Sequence, residues 1–181
     1  VLSGLGFLWV LLLIWTDTLV KLQFGDSTFF GDQYWASTQI VSIIALAYIF
    51  HAIYLLQLPG VYLLERSGLI AWIRGLGAVS NIILNLLFIP KYGIVGAACA
   101  TCISFILMAL ILYLINLKVF SIPYNWNKIG LITFTAGFIF FIHFNFHLDF
   151  FMKIIMSFSY PIILIITGVV SVNQFRTILK H

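Results

Sequence analysis

Charge is what this sequence has least of. Only 8% of its 181 residues are Asp, Glu, Lys or Arg, where a water-soluble domain carries about 25%. The hydrophobic share is 63%. No aqueous fold of this size could hide that much apolar surface, because surface-to-volume scaling forces a large part of any small domain outward. The solvent is therefore mostly lipid. The nine Lys and Arg that give the formal charge of +4 stand singly between apolar blocks, with no basic run, which excludes nucleic acid as a partner. Cysteine is scarce too. Cys99 and Cys102 are the only two, in a CxxC spacing that could suggest a redox dithiol or half a zinc site. A reactive thiol needs water and a nearby positive potential, and zinc needs further ligands that no other cysteine supplies. Inside an apolar segment the pair reads as small packing residues, and neither metal nor cofactor is expected.

Other absences narrow the architecture. The ten-residue alternation of a membrane barrel is missing, so the long apolar runs are read as helices. There is no initiator Met, basic leader or cleavage site before VLSGLGFLWVLLLIW, and the expectation is the C-terminal part of a longer polytopic protein. At about 20 apolar residues per crossing, six spans are predicted in an all-α transmembrane bundle. They run from Leu2 to Leu22, Thr38 to Leu58 or a turn beyond, Gly68 to Ile89, Ile94 to Leu117, Ile129 to His147, and Phe151 to Val172. Pro90-Lys91-Tyr92-Gly93 is predicted as a tight connector, since Pro breaks the donor ladder and Gly accepts a positive φ. Lys118 to Lys128 reads as a loop at an aromatic belt. Pro161 should kink the sixth span.

Cation placement predicts orientation. Arg66, Arg74, Lys118, Lys128, Arg176 and Lys180 fall on one side, and Lys21, Lys91 and Lys153 on the other, near Asp26, Asp32 and Asp149. Six cations against three make the first side cytoplasmic. Both ends of the chain then face the cytoplasm, and the stretch from Gln23 to Ser37 faces outward.

Small residues crowd the fourth span. At four-residue steps Gly93, Ala97 and Thr101 form one row, Gly96, Ala100 and Ser104 a second, and Ala98 and Cys102 a third. Narrow faces let helix backbones approach closely in lipid, so this helix is expected to be wedged among neighbours. The same stretch carries a resemblance. Asn81, Asn85, Pro90, Tyr92, Gly93, Gly96, Ala97, Ala98, Ala100, Thr101 and Ser104 stand as N-x3-N-x4-P-x-Y-G-x2-G-A-A-x-A-T-x2-S. This is similar to a segment of bacterial polysaccharide and O-antigen flippases of the multidrug/oligosaccharidyl-lipid/polysaccharide exporter superfamily. Phe24-Gly25 with Tyr34 and Ala36 resembles the outward loop of those proteins.

The resemblance implies the C-terminal part of a twelve- to fourteen-helix flippase. Residues 1–117 would be four helices closing its C-terminal lobe, and 118–181 two extra helices with a short cytoplasmic tail. It implies a transporter, not an enzyme, of the bacterial inner membrane. The substrate would be an undecaprenyl-pyrophosphate-linked oligosaccharide, and the partners the bilayer and other polysaccharide assembly proteins. A drug or cation antiporter of the same superfamily is the near alternative. A glycan polymerase or acyltransferase is disfavoured, because the longest outward loop has no Arg or His.

A flippase must shield sugar hydroxyls and a pyrophosphate from hydrocarbon, which calls for cations or amide donors on cavity-facing helices. Arg74, about two turns into the third span, is the leading candidate for substrate contact, with snorkelling to headgroups as the competing role. Asn81 and Asn85 share a helical face and are candidates for cavity lining or interhelical hydrogen bonding. Asp17 and Lys21 are spaced for an ion pair, and Asp17 is the candidate for ion coupling. His143 and His147 with Asp149 imitate a metal face but are read as interfacial, and His51 as an interior histidine.

Overall fold

The computed structural model describes residues 2–21, 23–24, 27–28, 38–62, 67–119, 125–146 and 148–169. Most of the expected outward loop lies outside them, as do Glu65, Arg66, Pro123, His147, Arg176 and Lys180. The described chain is a helical membrane bundle. Its elements are α1 (Leu2–Val20), β1 (Gln23–Phe24), β2 (Ser27–Thr28), α2 (Thr38–Tyr62), α3 (Ser67–Val119), α4 (Trp126–Asn145) and α5 (Phe150–Ile166). The two strands form a minimal antiparallel ladder, pairing Gln23 with Thr28 and Phe24 with Ser27. Four of the helices are long and apolar enough to cross a membrane, and α5 is a shorter apolar helix.

The 53 residues of α3 would make a rod about 80 Å long, far beyond the roughly 30 Å of hydrocarbon. The backbone breaks once, at Gly93, with φ 57° and ψ −137°. The Asn81 amide donates to Thr101 Oγ1 at 3.4 Å, and Ser80 Oγ lies 3.3 Å from Ser104 Oγ. Residues that far apart in sequence can meet only if the helix doubles back, so α3 is a helical hairpin. Its arms, residues 67–92 and 94–119, are the third and fourth predicted spans. The connector is tighter than expected, because the first arm stays helical through Pro90, Lys91 and Tyr92. Pro90 forfeits one backbone bond near the end of that arm, and Gly93 alone turns the chain.

Other boundaries differ from expectation for local reasons. α4 begins at Trp126, three residues earlier than predicted, because the Asn125 side chain accepts the Lys128 N–H at 3.2 Å and caps the helix. α5 runs through Pro161 and stops at Ile166, short of the predicted Val172. Gly168 closes it at φ 68°, with the Val169 N–H bonded to the Leu164 carbonyl at 3.1 Å.

The chain divides into two compact units, one of residues 1–35 with 125–181 and the other of residues 36–124. The first packs α1, α4 and α5 around Val10, Leu13, Ile14, Ile139, Tyr160 and Leu164. The second packs α2 against the α3 hairpin around Tyr54, Leu58, Ile73, Met108 and Leu112. Within it the expected crowding is visible, since Gly96, Ala98, Ala100, Cys102 and Ser104 are all buried, while Ala97 and Thr101 are half-buried and Gly93 is exposed. A Cβ on Gly96 would lie 2.5 Å from the Phe88 carbonyl oxygen. No larger residue fits while the arms lie this close. Both thiols are free, Cys99 half-buried and Cys102 buried.

Candidate functional site: a cleft between the arms of the α3 hairpin

Arg74, Gly77, Ala78, Asn81 and Asn85 stand at i, i+3, i+4, i+7 and i+11, so these residues share one face of the first arm. On the second arm Thr101, Ser104, Phe105 and Met108, at i, i+3, i+4 and i+7, likewise share a face. The antiparallel hairpin sets Asn81 beside Thr101 and Ser80 beside Ser104. Between the stripes lies a cleft of about 340 Å³ lined by Arg74, Gly77, Ala78, Asn81, Thr101, Ser104, Phe105 and Met108. The small size of Gly77 and Ala78 leaves the room, and the flanking residues supply the chemistry.

Its polar end is a connected chain of donors and acceptors. Asn85 Nδ2 donates to Asn81 Oδ1 at 2.9 Å, and Asn81 Nδ2 donates to Thr101 Oγ1. Thr101 in turn donates to the Ala97 carbonyl at 3.1 Å, and Ser104 to the Ala100 carbonyl at 2.8 Å. Asn85 Oδ1 is buried without a partner. In hydrocarbon an amide left unpaired is costly, so pairing Asn81 with Asn85 and Thr101 holds the arms in register. Fixing Asn81 this way still leaves one N–H of its amide for a ligand.

Arg74 gives the cleft its charge. Among the described residues no hydrogen bond or carboxylate engages its guanidinium, and its side chain is exposed. On α2 the half-buried His51 ring packs 4.6 Å, centroid to centroid, from Phe105 and 6.0 Å from Tyr54. An unpaired guanidinium with five N–H donors beside amide and hydroxyl groups can take a bidentate oxyanion while the others bind neutral oxygens.

The structure thus brings Arg74 and Asn81 into one cleft, with Asn85 one bond behind. Asp17 belongs to the other unit, where it pairs with Lys21 at 2.7 Å as their spacing predicts. Ser104 and Thr101 read in the sequence only as packing residues, yet they also line the cleft. The signal available is the stripe of hydroxyls facing the Asn stripe across Gly93. Among the described residues no group of His, Cys, Asp or Glu could hold a metal ion.

No family model matches the chain, and no solved structure does. A curated protein of Haloferax volcanii, named as the probable low-salt glycan biosynthesis flippase Agl15, is 28% identical over 120 residues. That stretch is 66% of this chain and 24% of the relative, so the chain spans about a quarter of the length of the protein it is similar to.

Proposed function

We propose that this chain is part of a multi-pass flippase that carries a lipid-linked oligosaccharide across the cytoplasmic membrane for polysaccharide biosynthesis. The observation that carries the reading is the cleft, an unpaired arginine set among amide and hydroxyl groups inside an apolar hairpin. The similarity to a protein named as a glycan biosynthesis flippase supports it. In this reading Arg74 holds the phosphate linkage, whose charge the hydrocarbon rejects most strongly. Asn81, Thr101 and Ser104 replace water around the sugar hydroxyls, and the apolar rim of Phe105 and Met108 accepts the lipid. The work is translocation, not bond chemistry, so no general acid or base is required. By the cation count, the ends of the chain lie on the cytoplasmic side.

The test is complementation by the full-length protein. Expressed in a flippase-null strain of the source organism or a near relative, it should restore surface polysaccharide. Failure there, with drug resistance restored in an efflux-deficient strain, would replace this reading with a drug or cation antiporter.

A further inference from the structure

The cleft of the α3 hairpin continues onto α2 through a run of rings. Phe105, which lines the cleft beside Thr101 and Ser104, is also the ring on which His51 packs, at a tilt of 31°. Tyr48 stands 6.0 Å from Phe105 and meets the His51 ring at 85°, 6.3 Å away. The three rings form one aromatic step from the cleft wall out onto α2, all inside the second unit. Phe105 and His51 are half-buried, whereas Tyr48 is 60% exposed. Further along both helices the Gln57 amide reaches the Ala109 carbonyl at 3.3 Å, and the Asn116 amide the Gln57 carbonyl at 3.1 Å. α2 and the second arm therefore run parallel. Tyr48, one turn before His51, lies on the Thr101 and Ser104 side of Phe105 and not on the Met108 side.

Depth decides what the open Tyr48 ring faces. His51 stands at the centre of the candidate span Ile40–Tyr62, and Tyr48 shares its helical face at a spacing of three. A histidine at that depth faces the bundle interior or a water-filled cavity. Among the described residues no hydrogen bond engages the Tyr48 hydroxyl or the His51 imidazole, and a phenol aimed at hydrocarbon would leave its hydroxyl unsolvated at a cost. The ring therefore faces the same polar space as Arg74 and Asn81. An open aromatic face beside amide and hydroxyl groups matches a pyranose. Such a sugar carries C–H groups on the faces of its ring, which the negative face of a phenol attracts, and hydroxyls on its rim, which amides and hydroxyls bind.

We propose that Tyr48 is a sugar-stacking residue that extends the cleft onto α2, and that the group it takes is a pyranose ring of the glycan. His51 and Phe105 buttress the Tyr48 ring from behind. Asn81, Thr101 and Ser104 bind hydroxyls on the rim of the same sugar. The inference rests on the flippase reading of the cleft, and adds to it that the sugar is recognised by its ring face as well as by hydrogen bonds. Any pyranose with an open C–H face satisfies Tyr48. The contact therefore separates glycosylated from bare lipid phosphate without choosing among such sugars.

The experiment uses the full-length protein in lipid nanodiscs and two short-chain probes, geranyl methyl phosphate and geranyl glucosyl phosphate, which carry the same single charge. Each is titrated by calorimetry, with empty nanodiscs as the blank. The wild type should bind both, the glucosylated probe more tightly. Tyr48→Leu should weaken the glucosylated probe by about five- to tenfold, the size of one aromatic contact, and leave the methyl probe unchanged. Tyr48→Phe and Tyr48→Trp, which keep an aromatic face, should hold the preference for the glucosylated probe. Arg74→Gln should weaken both probes alike. Circular dichroism on each variant confirms that it is folded. If the wild type binds both probes and Tyr48→Leu weakens neither, or both equally, the stacking inference is overturned while the flippase reading stands. If the wild type binds neither, the flippase reading falls and the stacking inference falls with it.

Discussion

Replacing Gly93 by Ala tests the hairpin most sharply. Its φ of 57° and ψ of −137° lie where a Cβ collides with the adjacent backbone, a region occupied almost only by glycine. Forcing an L-residue there costs about 2 kcal/mol, or roughly thirtyfold in a folding equilibrium. No other atom stands within 4 Å of a Cβ placed on Gly93, so the cost is backbone strain alone, without a clash to relax. A Cβ on Gly75, in the first arm, would also have nothing within 4 Å, but Gly75 carries no positive φ. Gly75→Ala is accordingly expected to be neutral or to gain about 0.5–1 kcal/mol from helix propensity. The assay is reversible unfolding of the full-length protein in mixed micelles, comparing the two variants with wild type. Equal stability of Gly93→Ala and Gly75→Ala would refute the argument that a single left-handed residue turns α3 back on itself.

Three further outcomes follow from the same geometry. Gly96→Ala should destabilise more than Gly93→Ala, because its Cβ must displace the Phe88 carbonyl 2.5 Å away, and the same unfolding assay reads the order. Asn81→Leu breaks the bond across the hairpin to Thr101, so a double-mutant cycle between Asn81 and Thr101 should return a coupling of about 0.6 kcal/mol, the usual size for side-chain hydrogen bonds between membrane helices. Cys99→Ala with Cys102→Ala should leave both stability and transport unaffected by reductant, since two free thiols in a packed helix do no redox work. A reductant-sensitive wild type would contradict that reading.

The spans are legible in the sequence because apolar runs of membrane-crossing length leave little choice of structure, and Gly93 after Pro90 announces the turn. Two boundaries escape it where a single residue decides the helix end. Asn125 begins α4 early through its side-chain cap, and Gly168 ends α5 early through its positive φ. Neither changes hydropathy, so a window of apolar residues cannot see them. The Asn81–Asn85 pair and the Asp17–Lys21 pair are visible as one-turn spacings on single helices. What the sequence hides is what depends on tertiary packing. Ser104 and Thr101 reach the cleft only because the arms fold together, and Lys153 reaches Thr18, and Trp15 Ser157, only because α5 packs against α1. Periodicity ranks the faces of one helix but says nothing of which faces meet.

The most direct measurement is translocation itself, by the full-length protein in proteoliposomes loaded with a fluorescent lipid-linked oligosaccharide. Appearance of the glycan on the opposite leaflet is read with a membrane-impermeant glycosidase. Arg74→Gln removes the charge that is assigned to the phosphate linkage, and loss of a charge-assisted contact of this kind is worth roughly tenfold or more in rate. Arg74→Lys keeps the charge but loses the bidentate fork, and should fall between Arg74→Gln and the wild type. Wild-type translocation with both variants impaired, at unchanged protein yield, is the predicted result. No translocation by the wild type, or full translocation by Arg74→Gln, would contradict the account.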